Sequence, residues 1–243
     1  MRIVSINNKI IKDLIKLKQK KYRDLEKRFI VEGYHLVLEA YNANLLDTVI
    51  AVNEDDFKSG VKGILVSEEV IKKFSSTITP QPIVGIVKYF DFKEKDASRI
   101  LILDNIQDPG NMGTLIRTSL AFGIEKIIIS LDTIDFYNDK VIRASQGSIF
   151  KIPIFKKSLV EEINILKKKG IKIIASSLDD NSLDVTCFKA VEKFALILGN
   201  EGSGIRQEVL KASDVSLKIP IKGIDSLNVA IAGAILLYSL TVK

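Results

Sequence analysis

The chain has 243 residues, of which 47% are hydrophobic and 27% charged, a composition that predicts packed domains and excludes global disorder. Its single cysteine and single histidine exclude an intrachain disulfide and a zinc site built from these residue types. The net charge is +6, but the first 30 residues contain ten basic and three acidic side chains, which leaves −1 on the remainder.

Such a basic segment favours a polyanionic partner, although solvation of a helix face explains it equally well. The N-terminal apolar run is too short for a signal peptide, and the most apolar stretch, residues 229–237, is far below the roughly 18 residues of a membrane span. We therefore expect a cytoplasmic protein with no membrane span and no metal site. We expect Cys187 to be a small buried apolar residue.

Residues 6–20 predict an amphipathic helix, because Ile6, Ile10, Leu14 and Leu17 recur at helical spacing. A polar turn is predicted through Arg28. The elements expected after it are a strand at 29–31, a helix at 32–43, strands at 45–52 and 64–66, a helix opened by Ser67, and a strand at 83–90.

The charged stretch 91–98 predicts a boundary between a domain of residues 1–94 and a domain of residues 98–243. The second half alternates strands and helices, which predicts a mostly parallel sheet covered by helices. The strands are expected at 100–103, 126–130, 171–175, 194–198 and 216–219, and the helices at about 112–122, 138–147, 158–169, 205–211 and 227–241. Ligands of such sheets bind in loops at the carboxyl ends of strands.

Three of these loops have unusual compositions. The first, residues 104–113, contains a Pro109-Gly110 turn and enters a helix with Arg117 on a face of small residues. That face lets a ligand approach the backbone, but a tight turn with Arg117 in a structural ion pair is an equal alternative.

The second loop, residues 198–204, is rich in glycine, yet it matches neither a dinucleotide fingerprint nor a phosphate-binding loop. Glu201 would repel a phosphate, so the loop suits a neutral or cationic ligand. The third, residues 219–229, ends a strand and enters the last helix, where Ser226 is a plausible N-cap.

Together the three loops resemble the signature motifs of the SpoU/TrmH family of SPOUT RNA ribose 2′-O-methyltransferases. The matching residues are Asn105, Asp108, Pro109, Asn111, Gly113 and Arg117, then Gly199, Glu201, Gly202 and Gly204, then Ile219, Pro220, Ser226, Leu227, Asn228 and Val229. Residues 27–33 resemble, more loosely, a ribosomal-protein-like RNA-binding domain that is fused to many family members.

The resemblance implies an α/β fold in which a small N-terminal RNA-binding domain precedes a parallel-sheet SPOUT domain with a deep trefoil knot. It implies S-adenosylmethionine as methyl donor, bound near Leu198, Gly199, Glu201, Ile219, Ser226 and Leu227. We expect Gly199 to leave space for the donor against the backbone. It also implies a homodimer, for which the small residues Ala230, Gly233 and Ala234 offer a surface, although core packing explains them equally well.

By the same resemblance the catalytic residues are Arg117, Asn111, Glu201, Ser226 and Asn228. Arg117 would assist the 2′-hydroxyl or hold the adjacent phosphate, and the phosphate role is the more physical one because a guanidinium is a poor base. Asn111 and Asn228 would orient the ribose and the loops, and Glu201 would tie its loop or orient Arg117.

The expected RNA-binding residues are Lys20, Lys21, Arg23, Lys27 and Arg28, and the N-terminal domain favours ribosomal RNA over transfer RNA. Two alternatives stay open beside a transfer RNA substrate. One is a non-catalytic RNA-binding protein that uses only the basic N-terminus. The other is a nucleotide-dependent oxidoreductase, which the missing dinucleotide fingerprint disfavours.

Overall fold

A computed structural model describes residues 2–179, 181–189 and 191–242. The strands are β1 (Arg28–Glu32), β2 (Leu46–Ala51), β3 (Lys62–Leu65), β4 (Ile83–Lys88), β5 (Arg99–Leu103), β6 (Lys126–Ile129), β7 (Ile154–Lys156), β8 (Lys172–Ser176), β9 (Leu183–Asp184), β10 (Phe194–Leu198) and β11 (Val215–Lys218). The helices are α1 (Lys9–Ile15), α2 (Lys20–Glu26), α3 (Tyr34–Asn42), α4 (Glu68–Phe74), α5 (Pro109–Ala121), α6 (Asp139–Ser145), α7 (Leu159–Lys168), α8 (Gln207–Lys211) and α9 (Val229–Thr241).

The chain forms two compact units. The first comprises Met1–Asp91 and Tyr137–Lys151, and the second comprises Phe92–Phe136 and Ile152–Lys243. The first unit is built on a four-stranded sheet in the order β1-β4-β2-β3, in which β4 runs antiparallel to both of its neighbours. Residues Tyr137–Lys151, which the sequence assigned to the second domain, therefore fold with the first.

An aromatic cluster explains this placement. The ring of Tyr137 stacks on that of Tyr89 with centroids 3.9 Å apart and lies 4.9 Å from that of Phe29. Its hydroxyl donates to the carbonyl of Phe90, and Phe150 lies against Phe90 at 5.9 Å. Large aromatic surfaces stabilise strongly when buried, so this cluster anchors the segment.

The N-terminal helix differs from its prediction. It ends at Ile15, continues as one 3-10 turn over Lys16–Lys18, and is followed by α2 in the stretch that was predicted to be a polar turn. Arg23 explains the change, because its side chain is buried and donates to the carbonyls of Leu17 and Lys18 at the end of the 3-10 turn.

The second unit is a seven-stranded sheet in the order β7-β6-β5-β10-β8-β11-β9, and every pair in it is parallel. This is the α/β class that the strand–helix alternation predicts. The central strand β10 is buried throughout, as expected between two helical layers. The edge strands β7 and β9 were not predicted, because they have only three and two residues and are partly exposed.

Helix α9 packs against α5 through its small residues. A Cβ at Gly233 would lie 2.7 Å from side-chain atoms of both Leu115 and Leu198, so the glycine permits close contact within the core. Across the described ranges, no helix has the length and apolar character needed to cross a bilayer. Cys187 is exposed rather than buried, because it lies in the turn that follows the edge strand β9.

Candidate active site

A cavity of about 650 Å³ opens at the carboxyl edge of the second unit's sheet. Three neighbouring strands, β10, β8 and β11, end there, as expected for a parallel sheet. All six residues predicted to contact the donor line it, namely Leu198, Gly199, Glu201, Ile219, Ser226 and Leu227. The sequence missed the stretch Ser176–Asp179 at the end of β8, which also lines it. The only sequence signal that this stretch lines the cavity is its position directly after a predicted strand.

The cavity lining is acidic. Among the described residues it includes the carboxylates of Asp179, Glu201 and Asp225 but only one basic side chain, Lys218. All three acidic residues are exposed to solvent at the cavity. The lining therefore favours a ligand that has positive charge and disfavours a polyphosphate.

Two sets of hydrogen bonds hold the glycine-rich loop after β10 in its conformation. The backbones of Asn200 and Gly204 exchange two hydrogen bonds, each of 3.0 Å, which closes the loop on itself. The Asn200 side chain accepts from the amides of Gly202 and Ser203 and donates to the carbonyl of Asn105 at 2.9 Å. The loop is thus preorganised and tied to the loop after β5.

Gly199 lies where this loop folds back on its own strand. A Cβ there would lie only 2.3 Å from the carbonyl carbon of Gly204 and the amide nitrogen of Ile205. The interpretation that Gly199 leaves space for the donor therefore needs correction, because the space beside it is occupied by the protein's own backbone.

We expect Gly199→Ala to weaken donor binding by about tenfold or more, because the backbone of the cavity wall must move to admit the methyl group. Titration calorimetry with S-adenosylmethionine measures the change. Gly202→Ala is the matched control in the same loop, since its Cβ would meet only the side chain of Asn200 at 3.6 Å. Equal affinities of the two variants would contradict this role of Gly199.

A chain of hydrogen bonds joins all three signature loops. The Asn111 side-chain amide donates to Glu201 Oε1 at 2.9 Å, and the Asn228 amide donates to Asn111 Oδ1 at 2.9 Å. Asn228 Oδ1 in turn accepts from the amides of Ala230 and Ile231. Asn228, and not Ser226, is therefore the N-cap of α9, and Ser226 remains an exposed residue of the cavity.

Arg117 is exposed on α5 and is not among the residues that line the cavity. Within the described part of the chain it forms no hydrogen bond or ion pair, so the alternative of a structural ion pair finds no support. Glu201 binds Asn111 and the amide of Asp108 rather than Arg117, so Glu201 ties the loops together. The guanidinium is available to an external anion.

The sequence also missed a buried ion pair. The Asp104 side chain is inaccessible to solvent, and Arg206 binds it through its backbone amide at 2.9 Å, Nε at 2.8 Å and Nη2 at 2.6 Å. The hydrogen bond to Asp104 raises the pKa of Arg206, so the guanidinium stays charged. Asp132, whose pKa is lowered chiefly by the hydrogen bond from Ser130, lies 3.5 Å from Nη1. The pair joins the loops after β5 and β10.

The basic residues predicted to bind RNA lie in the first unit and differ in their solvent exposure and ion pairing. Lys21 and Lys27 are exposed, whereas Lys20 pairs with Asp24 and Arg28 pairs with Glu26 and Asp47. Arg23 is only 6% exposed, and its role in binding the backbone makes it a structural residue. We therefore omit Arg23 from the proposed RNA contacts. No cluster of metal ligands occurs among the residues that the structure describes.

Comparisons with known proteins place this architecture in a family. Residues 98–238 match the SpoU rRNA methylase family, and residues 8–85 match the MRM3-like substrate-binding domain. The chain is 36% identical to the 23S rRNA (guanosine(2553)-2′-O)-methyltransferase RlmP of Bacillus subtilis, over 98% of each chain.

Two solved structures have a fold closely similar to that of this chain. An rRNA methyltransferase from Sinorhizobium meliloti is 31% identical, with a TM-score of 0.90 over 99% of this chain and 96% of that one. Its AdoMet-bound form has a TM-score of 0.89, with 99% and 97% of the two chains covered at 31% identity. With its parallel sheet, its three joined loops and these matches, the chain belongs to the SpoU rRNA methylase family.

Proposed function

We propose that this protein transfers a methyl group from S-adenosylmethionine to a ribose 2′-hydroxyl of RNA, and that the RNA is ribosomal. The observation that carries the proposal is the cavity at the carboxyl edge of the sheet, which is lined by the family's second and third signature loops. The B. subtilis relative, named as a 23S rRNA methyltransferase, supports ribosomal over transfer RNA.

The cavity fits the donor in size and charge. Its volume of about 650 Å³ lies within the range of small-molecule sites. When bound, S-adenosylmethionine supplies an electrophilic methyl group on a positively charged sulfonium. Its methionine part has an ammonium and a carboxylate group, so the donor has a net positive charge. The carboxylates of Asp179, Glu201 and Asp225 complement that charge, and the closed loop at Gly199 and Asn200 forms a rigid wall.

Arg117 acts on the acceptor side, and three further signature residues join the acceptor and donor loops. Arg117 binds the phosphate next to the acceptor ribose, because guanidinium groups match phosphate oxygens in a bidentate geometry. Asn111, Asn228 and Glu201 hold the acceptor loop against the donor loop through their shared hydrogen bonds. Correct alignment of the reacting groups can contribute roughly 7–11 kcal/mol to lowering the barrier.

Incubation with isotopically labelled donor and purified ribosomal or transfer RNA tests the proposal. Methylation of a 2′-hydroxyl blocks alkaline cleavage of the following phosphodiester, so label in alkali-resistant dinucleotides from ribosomal RNA is the expected result. The same label from transfer RNA would identify the alternative substrate. Donor binding without transfer to either RNA, or no donor binding, would favour a non-catalytic RNA-binding protein.

We also propose a separate function for each part of the chain. Residues 1–94 form the RNA-binding domain, and residues 98–243 form the methyltransferase domain with a trefoil knot at the donor loops. Within the second range, Tyr137–Lys151 fold with the first unit. The family matches over residues 8–85 and 98–238 support this division. The protein acts in the cytoplasm, where ribosomal RNA is found.

We expect the lysines of α2 and its C-terminus to set the salt dependence of RNA binding. Replacing Lys20, Lys21 and Lys27 with Gln should lower the slope of log affinity against log salt by roughly 2, because each lost phosphate contact removes about 0.7–0.9. Filter binding at several salt concentrations measures the slope. Replacing Lys62, Lys72 and Lys73, which are also exposed, with Gln changes the charge of the same unit by the same amount. If both triple variants changed the slope alike, the contacts would be non-specific.

We also infer a homodimer in which α9 forms part of the interface. Its exposed side is apolar: Ile231 is 53%, Ile235 36% and Tyr238 56% exposed. Their spacing of four and three residues places them on one helical face. Contiguous exposed apolar surface of this kind marks an interaction site.

Replacing Ile235 and Tyr238 with Glu should therefore convert a dimer to a monomer in size-exclusion chromatography with light scattering. Ile165→Glu is the control, since Ile165 is also an exposed apolar helical residue, at 46%, but on α7. A wild-type protein that elutes as a monomer would refute the inference.

A further inference from the structure

Two lysine ammonium groups lie near one tyrosine ring of the first unit. Tyr22 lies on α2, and the ammonium groups of Lys16 and Lys21 lie 5.8 Å and 5.9 Å from the centre of its ring. The ring is partly accessible, and its hydroxyl forms no hydrogen bond with the described part of the chain. The hydroxyl is therefore available to water or to a bound ligand.

An apolar neighbour extends this surface. Leu25, three residues after Tyr22 and therefore on the same side of α2, is 71% exposed. Lys16 pairs with Asp13 at 2.7 Å, whereas Lys21 has no ion pair among the described residues. Arg23 holds the helix in place through the carbonyls of Leu17 and Lys18. The result is an aromatic and apolar platform, held in place by a buried arginine and flanked by positive charge.

A second tyrosine of this unit, which is exposed, has different surroundings. Tyr34 on α3 donates its hydroxyl to Asp56 at 3.2 Å, next to the acidic residues Glu54 and Asp55. A carboxylate beside the ring repels phosphate groups. Tyr34 is therefore a matched aromatic residue without the surrounding positive charge.

We propose that Tyr22 is a stacking site for an unpaired nucleotide of the RNA substrate, with Lys16 and Lys21 on the adjoining phosphates. The proposal rests on RNA being the substrate and specifies which part of it the first unit binds. Bases within an A-form duplex are stacked on each other, so only a loop, bulge or end offers a free base face to an aromatic ring. Aromatic rings flanked by lysine or arginine bind unpaired bases with little sequence preference.

The test compares Tyr22→Leu with the wild type on two RNAs of equal length and charge, a hairpin with an unpaired loop and a blunt duplex. Loss of one base stack should weaken hairpin binding by about tenfold and leave duplex binding unchanged. Tyr22→Phe, which keeps the ring, should bind like the wild type, and so should Tyr34→Leu. Quenching of a 2-aminopurine in the loop should occur with the wild type and be lost in Tyr22→Leu.

Equal weakening on both RNAs, or no weakening on either, would overturn the proposal. Thermal unfolding of Tyr22→Leu identifies a folding defect, and the quenching signal of Tyr22→Phe then decides the role of the ring on a folded protein. These binding measurements need no donor and no methyl transfer. Failure of the stacking site is therefore distinguishable from failure of the methyltransferase function.

Discussion

Arg117→Ala is expected to reduce kcat/KM for methyl transfer by about 10- to 100-fold while leaving the affinity for S-adenosylmethionine unchanged. A hydrogen-bonded contact with a charged partner contributes about 1.5–3 kcal/mol, which corresponds to that range. Donor affinity should not change, because Arg117 does not line the cavity. Label incorporation and donor titration on the same preparation measure the two quantities.

Arg117→Lys tests the phosphate contact against direct assistance to the 2′-hydroxyl. If Arg117 holds a phosphate, lysine keeps the charge but loses the bidentate geometry, so intermediate activity is expected with an unchanged pH profile. Because Arg117 has no partner among the described residues, neither variant should change the unfolding temperature. Loss of donor binding in Arg117→Ala would refute its assignment to the acceptor side.

Arg206→Gln is expected to have the largest effect on stability. The substitution leaves the Asp104 carboxylate, which is 0% exposed, without a counter-charge. Breaking a buried ion pair typically costs about 3–5 kcal/mol, and the lower value is expected here because the Arg206 side chain is 42% exposed. Denaturant titration measures the free energy of unfolding.

A second substitution tests whether the unpaired charge of Asp104 causes this loss of stability. Asp104→Asn in the Arg206→Gln background removes the uncompensated charge and should recover a large part of the lost stability. Asp132→Asn is the control, because Asp132 meets the same guanidinium at 3.5 Å on the surface, where an ion pair contributes at most about 1 kcal/mol. If the double variant is no more stable than Arg206→Gln, the charge of Asp104 is not the cause.

The sequence predicted those parts of the site that depend on local pattern. Strand–helix alternation placed the signature loops at the carboxyl ends of parallel strands, and the residues around Gly199 and Ser226 do line one cavity. The pairing of Asp104 with Arg206 was not predictable, because these residues are 102 positions apart and neither has a distinctive neighbourhood. Contacts between distant residues depend on strand order, which the local pattern does not specify.

In the first unit, too, the local sequence pattern did not show which residues pack together. Composition identified its basic stretch, but it did not distinguish Arg23, which is buried, from Lys21, which is exposed. Both residues lie in a stretch whose only apolar residues are Tyr22 and Leu25, so hydrophobic periodicity gave no sign of α2. The packing of Tyr137 on Tyr89 was equally hidden, because it joins residues from opposite sides of the predicted domain boundary.

Mapping of 2′-O-methyl groups in cells tests the central claim most directly. Ribosomal and transfer RNA from cells with and without this protein are compared at nucleotide resolution, with a strain that expresses Arg117→Ala as a further control. The expected result is one ribose methylation in ribosomal RNA that is present with the wild-type protein and absent in the other two strains. Identical methylation of both RNA classes in all three strains would contradict the proposed function.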